Sequence, residues 1–360
     1  MTPPRILTAL AVLGITAAPL SAMADDGITL SVTVPVYGQY DNTYTATDNS
    51  EGSDLYATIE PEIIVGLPRG FSLQAGLVFE PVSDRDPGRD RAFKSHGAYV
   101  QTLQLVWEAE PFMVHAGKFT PTFGFDETHG MYGDTFLSDY ELTERLGFGG
   151  AVTVPIDGIA DVTLAASLFT RDRSFLSEST ITSRDHLRTS DGTPGNTKGL
   201  KNGAVAIDLR PAPHPELLIR ASYLRQGKGQ GDASGQTAYG LGATYEYALS
   251  EDVAIAPMID WVRAHDTIGF TDGTSTPGAR TDTITAGGRL SYGQWFGTLT
   301  HGARIIKDPA APTIRDRFTQ VSAGYEFDIG LALETGWMRL HDTGEKSSTV
   351  GVVASYAWEF

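Results

Sequence analysis

Acid–base and nucleophilic chemistry require a titratable group held beside a partner, and this chain offers few such pairs. Its histidines (His96, His115, His129, His186, His214, His265, His301 and His341) are scattered. No G-x-S-x-G or H-E-x-x-H occurs to set a nucleophile beside its base or two imidazoles on one helix face. His129 and Ser138 share one segment, but nothing in it fixes their geometry. Glu60 and Glu62 come nearest to a carboxylate dyad. Side chains two apart on a strand form a stripe along one face, which suits a cation-lining wall better than proton exchange. Asp84, Asp86 and Asp272 sit in stretches able to collect Ca²⁺ through oxygen ligands, but none matches an EF-hand, and solvated loop acids are the ordinary reading. Charge concentrates instead between residues 120 and 146, where Asp126, Glu127, Asp134, Asp139, Glu141 and Glu144 occur with His129 and Arg145. These features point away from an enzyme, and neither a metal nor a cofactor is expected.

The elements that must position these groups have a period of two. In the final stretch, STVGVVASYAWEF, Val350, Val352, Ala354, Tyr356, Trp358 and Phe360 share one parity, while Thr349, Gly351, Ser355 and Glu359 fall on the other. That is a strand with one apolar face. Such alternation recurs in about sixteen segments, from 28–40 to 348–360, most of them about 10–14 residues long and so able to cross a thin membrane at a tilt. In 239–247 the apolar set is Tyr239, Leu241, Ala243, Tyr245 and Tyr247; in 71–79 it is Phe71, Leu73, Ala75, Leu77 and Phe79. Connections alternate between short ones, such as Pro68-Arg69-Gly70 and Ile156-Asp157-Gly158, and long ones, such as 41–53, 120–146, 173–199 and 342–347. Short turns at one end and long loops at the other describe a closed, even-numbered antiparallel barrel, which leaves no strand edge unpaired. The fold class expected is all-β: a transmembrane up-and-down β-barrel of about 16 strands, wide enough for an aqueous lumen. The apolar parity faces lipid and the polar parity a wet interior. Tyr99, Trp107, Trp261, Trp295, Trp337 and Trp358, near segment ends, read as interfacial girdle aromatics.

Residues 1–24 hold one charge, Arg5, then an apolar run to Leu20 and Ala22-Met23-Ala24. This reads as a cleaved secretory signal peptide, with the barrel occupying 25–360. No Cys occurs, so no disulfide staples the exported chain. Hydrophobic residues make up 41% of the sequence, but no later run nears the roughly 20 residues of a spanning helix. Removing the signal takes away one basic residue and leaves 26 against 44 acidic, a net charge of −18. Such acidity argues against nucleic acid as a partner and leans toward cation preference in a pore.

With its A-x-A signal, repeated alternating segments and SYAWEF ending, the chain resembles the Gram-negative outer-membrane porins. Gly117-Lys118-Phe119-Thr120-Pro121-Thr122-Phe123-Gly124, followed by the acid-rich 120–146 segment, resembles the third loop of that family, which folds into the barrel and constricts it. The same motif and Leu137 to Glu144 also resemble phosphate-selective and siderophore-type porins. The resemblance implies an outer-membrane location and passive diffusion of small hydrophilic solutes and ions. It further implies a homotrimer among outer-membrane lipid, with Val32, Val34 and Val36 contributing to an aromatic-poor interface. It also implies an eyelet in which Asp126, Glu127, Asp134, Asp139, Glu141 and Glu144 face Arg171, Arg220, Arg289 and Arg304 on the lumen parity. Opposed charges across a narrow gap set up a transverse field that orients dipolar solutes and disfavours apolar ones. Glu60, Glu62, Glu246 and Asp260 would line the lumen. In the plainer reading the loop acids only solvate a surface and the arginines pair with neighbours such as Glu246 or Asp260. Two other functions fit the pattern: a channel selective for phosphate, a siderophore or another organic solute, and a structural or adhesive barrel acting through loops such as 173–199.

Overall fold

Strands form wherever apolar and polar residues alternate, because a half-buried pleated surface is what that pattern satisfies. The computed structural model describes residues 27–125, 130–133, 136, 140, 142–184, 187–268 and 275–360. Residues 1–24, read as the signal, lie outside the described residues. The strands are β1 (Thr29–Ala46), β2 (Gly52–Ile59, resuming Glu62–Leu67), β3 (Phe71–Pro81), β4 (His96–Ala109), β5 (Phe112–Phe119) and β6 (Arg145–Ile156). Next come β7 (Ala160–Arg171), β8 (Asn202–Pro211), β9 (Leu217–Gln226), β10 (Gln236–Tyr245, resuming Tyr247–Ala248) and β11 (Val253–Thr267). The last are β12 (Ser275–Tyr292), β13 (Trp295–Lys307), β14 (Ile314–Glu326), β15 (Ala332–Asp342) and β16 (Glu345–Glu359).

Each strand pairs antiparallel with its sequence neighbours, and β1 pairs with β16 from Thr33↔Glu359 to Ala46↔Ser347. Phe360 and Val32 exchange both backbone bonds, at 2.9 and 3.1 Å, and seal the seam. The result is a closed 16-stranded barrel. No helix among the described residues is long and apolar enough to cross a membrane.

The outward parity matches the apolar sets read from sequence: Leu241, Ile284, Leu290, Leu299 and Val352 are all exposed on the outer face. Aromatic residues gather at the short-turn end, where Phe71 and Trp107 lie 6.5 Å apart, Trp295 and Tyr325 4.8 Å, and Tyr356 and Trp358 5.0 Å. Tyr99 is not part of this girdle. The β3–β4 ladder shifts register between Gly76 and Leu77, so the parity of β4 inverts and Tyr99 turns inward, donating to Glu80 Oε1 at 2.5 Å.

Two connections differ from the sequence reading. β1 continues to Ala46, and β15 and β16 meet in a tight Thr343-Gly344 turn rather than a long loop. In Asp41 to Thr45 the alternation fades because the residues are polar on both parities, yet the ladder persists, with Thr43 Oγ1 and Thr349 Oγ1 3.0 Å apart. Beyond an apolar layer a strand no longer needs an apolar face. β2 breaks at Glu60-Pro61, where proline has no N–H to give; Glu60 N donates to Pro35 O and Leu77 N to Pro61 O, both at 3.0 Å.

Candidate functional site

The segment joining β5 to β6, loop three, enters the barrel. Phe123, Tyr140 and Leu142 join Phe119 in a buried cluster against Phe169, Ala204, Leu224, Ala238, Met258, Val262 and Ala264 on the inner face of β7–β11. The inner parity is therefore apolar along this arc, contrary to the expectation of a polar lumen face throughout. Its small residues make room for the loop. A Cβ built at Gly242 would lie 2.6 Å from the Phe125 ring, so only glycine admits that side chain.

Polar contacts fix the same stretch. Ser222 Oγ accepts from Gly124 N at 3.2 Å, Asp260 Oδ2 accepts from Phe125 N at 3.4 Å, and Arg220 Nη1 donates to Gly124 O at 3.0 Å. The loop then reaches the far wall. Tyr132 N donates to Gln320 Oε1 at 3.2 Å, Gln320 Nε2 donates to Gly133 O, and Tyr132 OH donates to Gly336 O at 3.1 Å. Phe136 packs edge-on to Phe318 with centroids 5.2 Å apart. Loop three thus spans the interior from β9–β11 to β14–β15.

The arginines of the inner wall each have partners, at different heights. Arg220, on β9, grips both oxygens of Asp208 at 2.7 and 2.8 Å. Near the long-loop end, Arg304 donates to Asp316 at 2.9 Å and to Asp342 at 2.5 Å, with the Phe136 ring 4.5 Å away. Arg289, near the short turns, bonds Glu326 and lies 3.8 Å from the Phe296 ring. Arg171 donates to Thr193 Oγ1 at 3.1 Å. Their carboxylate partners include Asp208, Asp316, Asp342 and Glu326, as the plainer reading expects of neighbouring acids. Asp260 lies buried beneath loop three, and Glu246 is exposed at the short-turn end.

Of the loop-three acids, Asp126, Glu127, Asp134, Asp139 and Glu141 lie outside the described residues, as do His129 and Ser138. Glu144 is described, and it belongs to an anchor for loop four (172–201). Its Oε2 accepts from Lys118 Nζ at 2.8 Å, Ser177 Oγ at 2.9 Å and Arg184 Nη2 at 2.5 Å. Lys118 also meets Asp172 at 2.8 Å with both side chains fully buried. Burial alone would push the Asp172 carboxyl up, but bonds from Lys118, Ser174 N and Ser177 hold it below the usual carboxylate range. From this anchor loop four leans inward over β4: Thr180 N donates to Ala98 O at 3.0 Å, and the Arg184 guanidinium stacks 3.5 Å over the Tyr99 ring.

The opposite wall, β1–β2, is acidic. Asp41 accepts from Gln39 Nε2 at 2.9 Å and Tyr56 OH at 3.2 Å, and Glu62 shares the inward parity with Glu60 close by. Among the described residues no ion pair reaches Asp41 or Glu62, whereas Asp54 is held by Arg91 at 2.5 Å.

This barrel has counterparts among solved structures. The chain is similar to the outer-membrane channel DcaP of Acinetobacter baumannii, with a TM-score of 0.62 and 13% identity over 92% of this chain and 98% of that one. It is also similar to the outer membrane protein OpdK of Pseudomonas aeruginosa (TM-score 0.58, 10% identity, 92% and 99% covered). A loop-deletion mutant of OmpT, an outer membrane protein of Vibrio cholerae, scores 0.58 at 13% identity over 93% and 100%. The fold is that of outer-membrane channels. No family model matches the chain, and no curated protein does.

Several residues central to this interior escaped sequence reading. Asp208 carries a usable signal, since it sits on the polar parity of the strand preceding Arg220 and pairs with it across the ladder. Gln320 and the buried Lys118 carry none, because their partners are loop atoms whose course no periodicity encodes.

Proposed function

We propose that this chain is an outer-membrane porin, exported by a cleaved signal at residues 1–24, through which small hydrophilic solutes and ions diffuse passively. The observation that carries the reading is loop three bonded to two walls of the barrel, at Ser222, Asp260 and Arg220 on one and at Gln320 and Gly336 on the other, as a segment that constricts an interior would be. Preference falls to cations. Arg220, Arg289 and Arg304 are neutralised by wall carboxylates, while Asp41 and Glu62 face the lumen without a cation partner among the described residues. In this reading the loop acids Asp126, Glu127, Asp134, Asp139 and Glu141 form the negative side of the constriction and Arg171 its positive rim, while Arg220 and Glu144 are held in local ion pairs. Loop four leaning into the mouth fits a channel better than an adhesive surface standing outward.

A homotrimer fits this reading, with the contact displaced from β1. Val34 and Val36 lie beside Trp358 and Tyr356, so that patch is rich in aromatics. The outward positions of β7 and β8 hold no aromatic residue, with Leu164, Leu168, Val205 and Ile207 exposed, and suit subunit packing.

Planar-bilayer recording of the mature protein under a salt gradient tests the proposal. Stable stepwise openings with a cation-signed reversal potential are expected. Folded protein that never conducts would overturn it.

A further inference from the structure

The outer surface of the barrel carries one feature that a diffusion channel does not require. Strands β13–β16 present Lys307, Arg315, Arg317, Arg339 and Lys346 on the outward parity, all exposed, at the long-loop end. The register makes them neighbours. Ile305 faces Arg315, Ala303 faces Arg317, Arg317 faces His341, and His341 faces Lys346, with Arg339 one step inward beside Thr319. No hydrogen bond or ion pair joins any of the five cationic heads to a described residue. The outward positions of these four strands contain no Asp or Glu; nearby, Asp342 is turned in to Arg304 and Asp282 is taken by Arg263 and Arg280. Asp308 and Glu345 stand in the adjoining turns.

Like charges on adjacent strands repel, so such a cluster persists where something anionic covers it. Its depth says what that is. One step below Arg339 on the same parity lies Trp337, whose Nε1 donates to Tyr44 OH at 3.0 Å, and below that come the apolar Leu333, Val321, Leu299 and Val352. Trp and Tyr mark the boundary of the hydrocarbon layer, which places the cations at headgroup height. The arc is also one-sided. Half the barrel away, no outward position of β6, β7 or β8 is Lys or Arg.

We infer that the β13–β16 rim binds phosphate groups of an anionic glycolipid in the outer leaflet, with the arginine forks taking phosphate oxygens two at a time. The inference rests on the outer-membrane orientation proposed above, long loops outward, but not on conductance.

The test uses folded protein in detergent and three probes: an acylated glucosamine disaccharide bearing two phosphates, the same lipid after dephosphorylation, and inorganic phosphate. Binding is read by native mass spectrometry. The phosphorylated lipid should bind, the dephosphorylated one should not, and inorganic phosphate should not compete. R315Q/R317Q/R339Q should bind about 100-fold more weakly, with each lost charge counting about fivefold. The matching triple lysine variant should lose less than about tenfold, and R225Q, which removes an isolated outward cation on β9, should change nothing. Equal binding by the glutamine variant, or equal binding of the dephosphorylated lipid, would overturn the inference. Competition by inorganic phosphate would overturn it in favour of a free-anion site. A variant that loses only its oligomeric state would show the arc to be a subunit contact. Conductance recorded on the same samples separates this result from the channel reading, since the glutamine variant should conduct as the parent does.

Discussion

Replacing Gln320 with alanine should release loop three from the far wall. The buried amide of Gln320 holds the loop at two points, accepting from Tyr132 N at 3.2 Å and donating to Gly133 O. Each neutral hydrogen bond contributes about 1 kcal/mol net, so the pair contributes about 2 kcal/mol to the docked position. That raises the detached fraction about 30-fold, turning a rare excursion into one visible in a single-channel record. Open-channel noise and flickering between conductance levels should increase, while thermal stability of the barrel stays near that of the parent, because no ladder bond is lost. The control is Gln104→Ala, since Gln104 bonds Gln74 at 3.0 Å on the wall and makes no hydrogen bond to a described residue of the loop. Identical noise in the Gln320 variant and the parent would refute the claim that this clamp sets the aperture.

Four other perturbations have defined outcomes. Gly242→Leu would drive a side chain into the Phe125 ring, so conductance should change with strand content intact by circular dichroism; an unchanged conductance would place the loop elsewhere. Glu62→Gln together with Asp41→Asn should move the reversal potential toward the anion side, and no movement would remove the acidic wall from the conduction path. Arg304→Met strands Asp316 in a buried site and should destabilise the barrel by about 3 kcal/mol, read as a lower temperature of unfolding in detergent. The Asp172 carboxyl is held below its ordinary range in the folded protein, so its stabilisation is full above the unfolded value of about 4 and lost as pH falls toward the folded one. Loop four should therefore become protease-sensitive below about pH 4, and equal cleavage at pH 6 and pH 3 would contradict this.

Strand number, closure and outward faces were legible because each depends on a local rule. Val350, Val352 and Trp358 declare their parity within a few residues, and a barrel of alternating strands has one way to hide its edges. Tyr99 was misplaced because one extra residue in a ladder inverts parity without leaving a compositional trace. The interior was less legible. Parity alone puts Arg220 and Arg304 on the polar set of their strands, but their neutralisation by Asp208 and by Asp316 with Asp342 depends on cross-strand register. The buried Phe169, Leu224 and Val262 depart from a polar lumen face because Phe123, Tyr140 and Leu142 lie on them. A loop's course through a cavity is set by shape and by single hydrogen bonds, and neither repeats along the chain.

The seam between β1 and β16 bears on how the molecule comes into being. Thr43 finds its partner Thr349 306 residues later, so the first strand has one edge without a mate until the last strand is available. Contacts this distant close slowly, because the loop entropy must be overcome before any bond rewards it. In the interval, β1 offers an open edge that any other extended chain can join. Assembly in water would therefore compete with aggregation, and an escort that shields the open edge until insertion would favour closure.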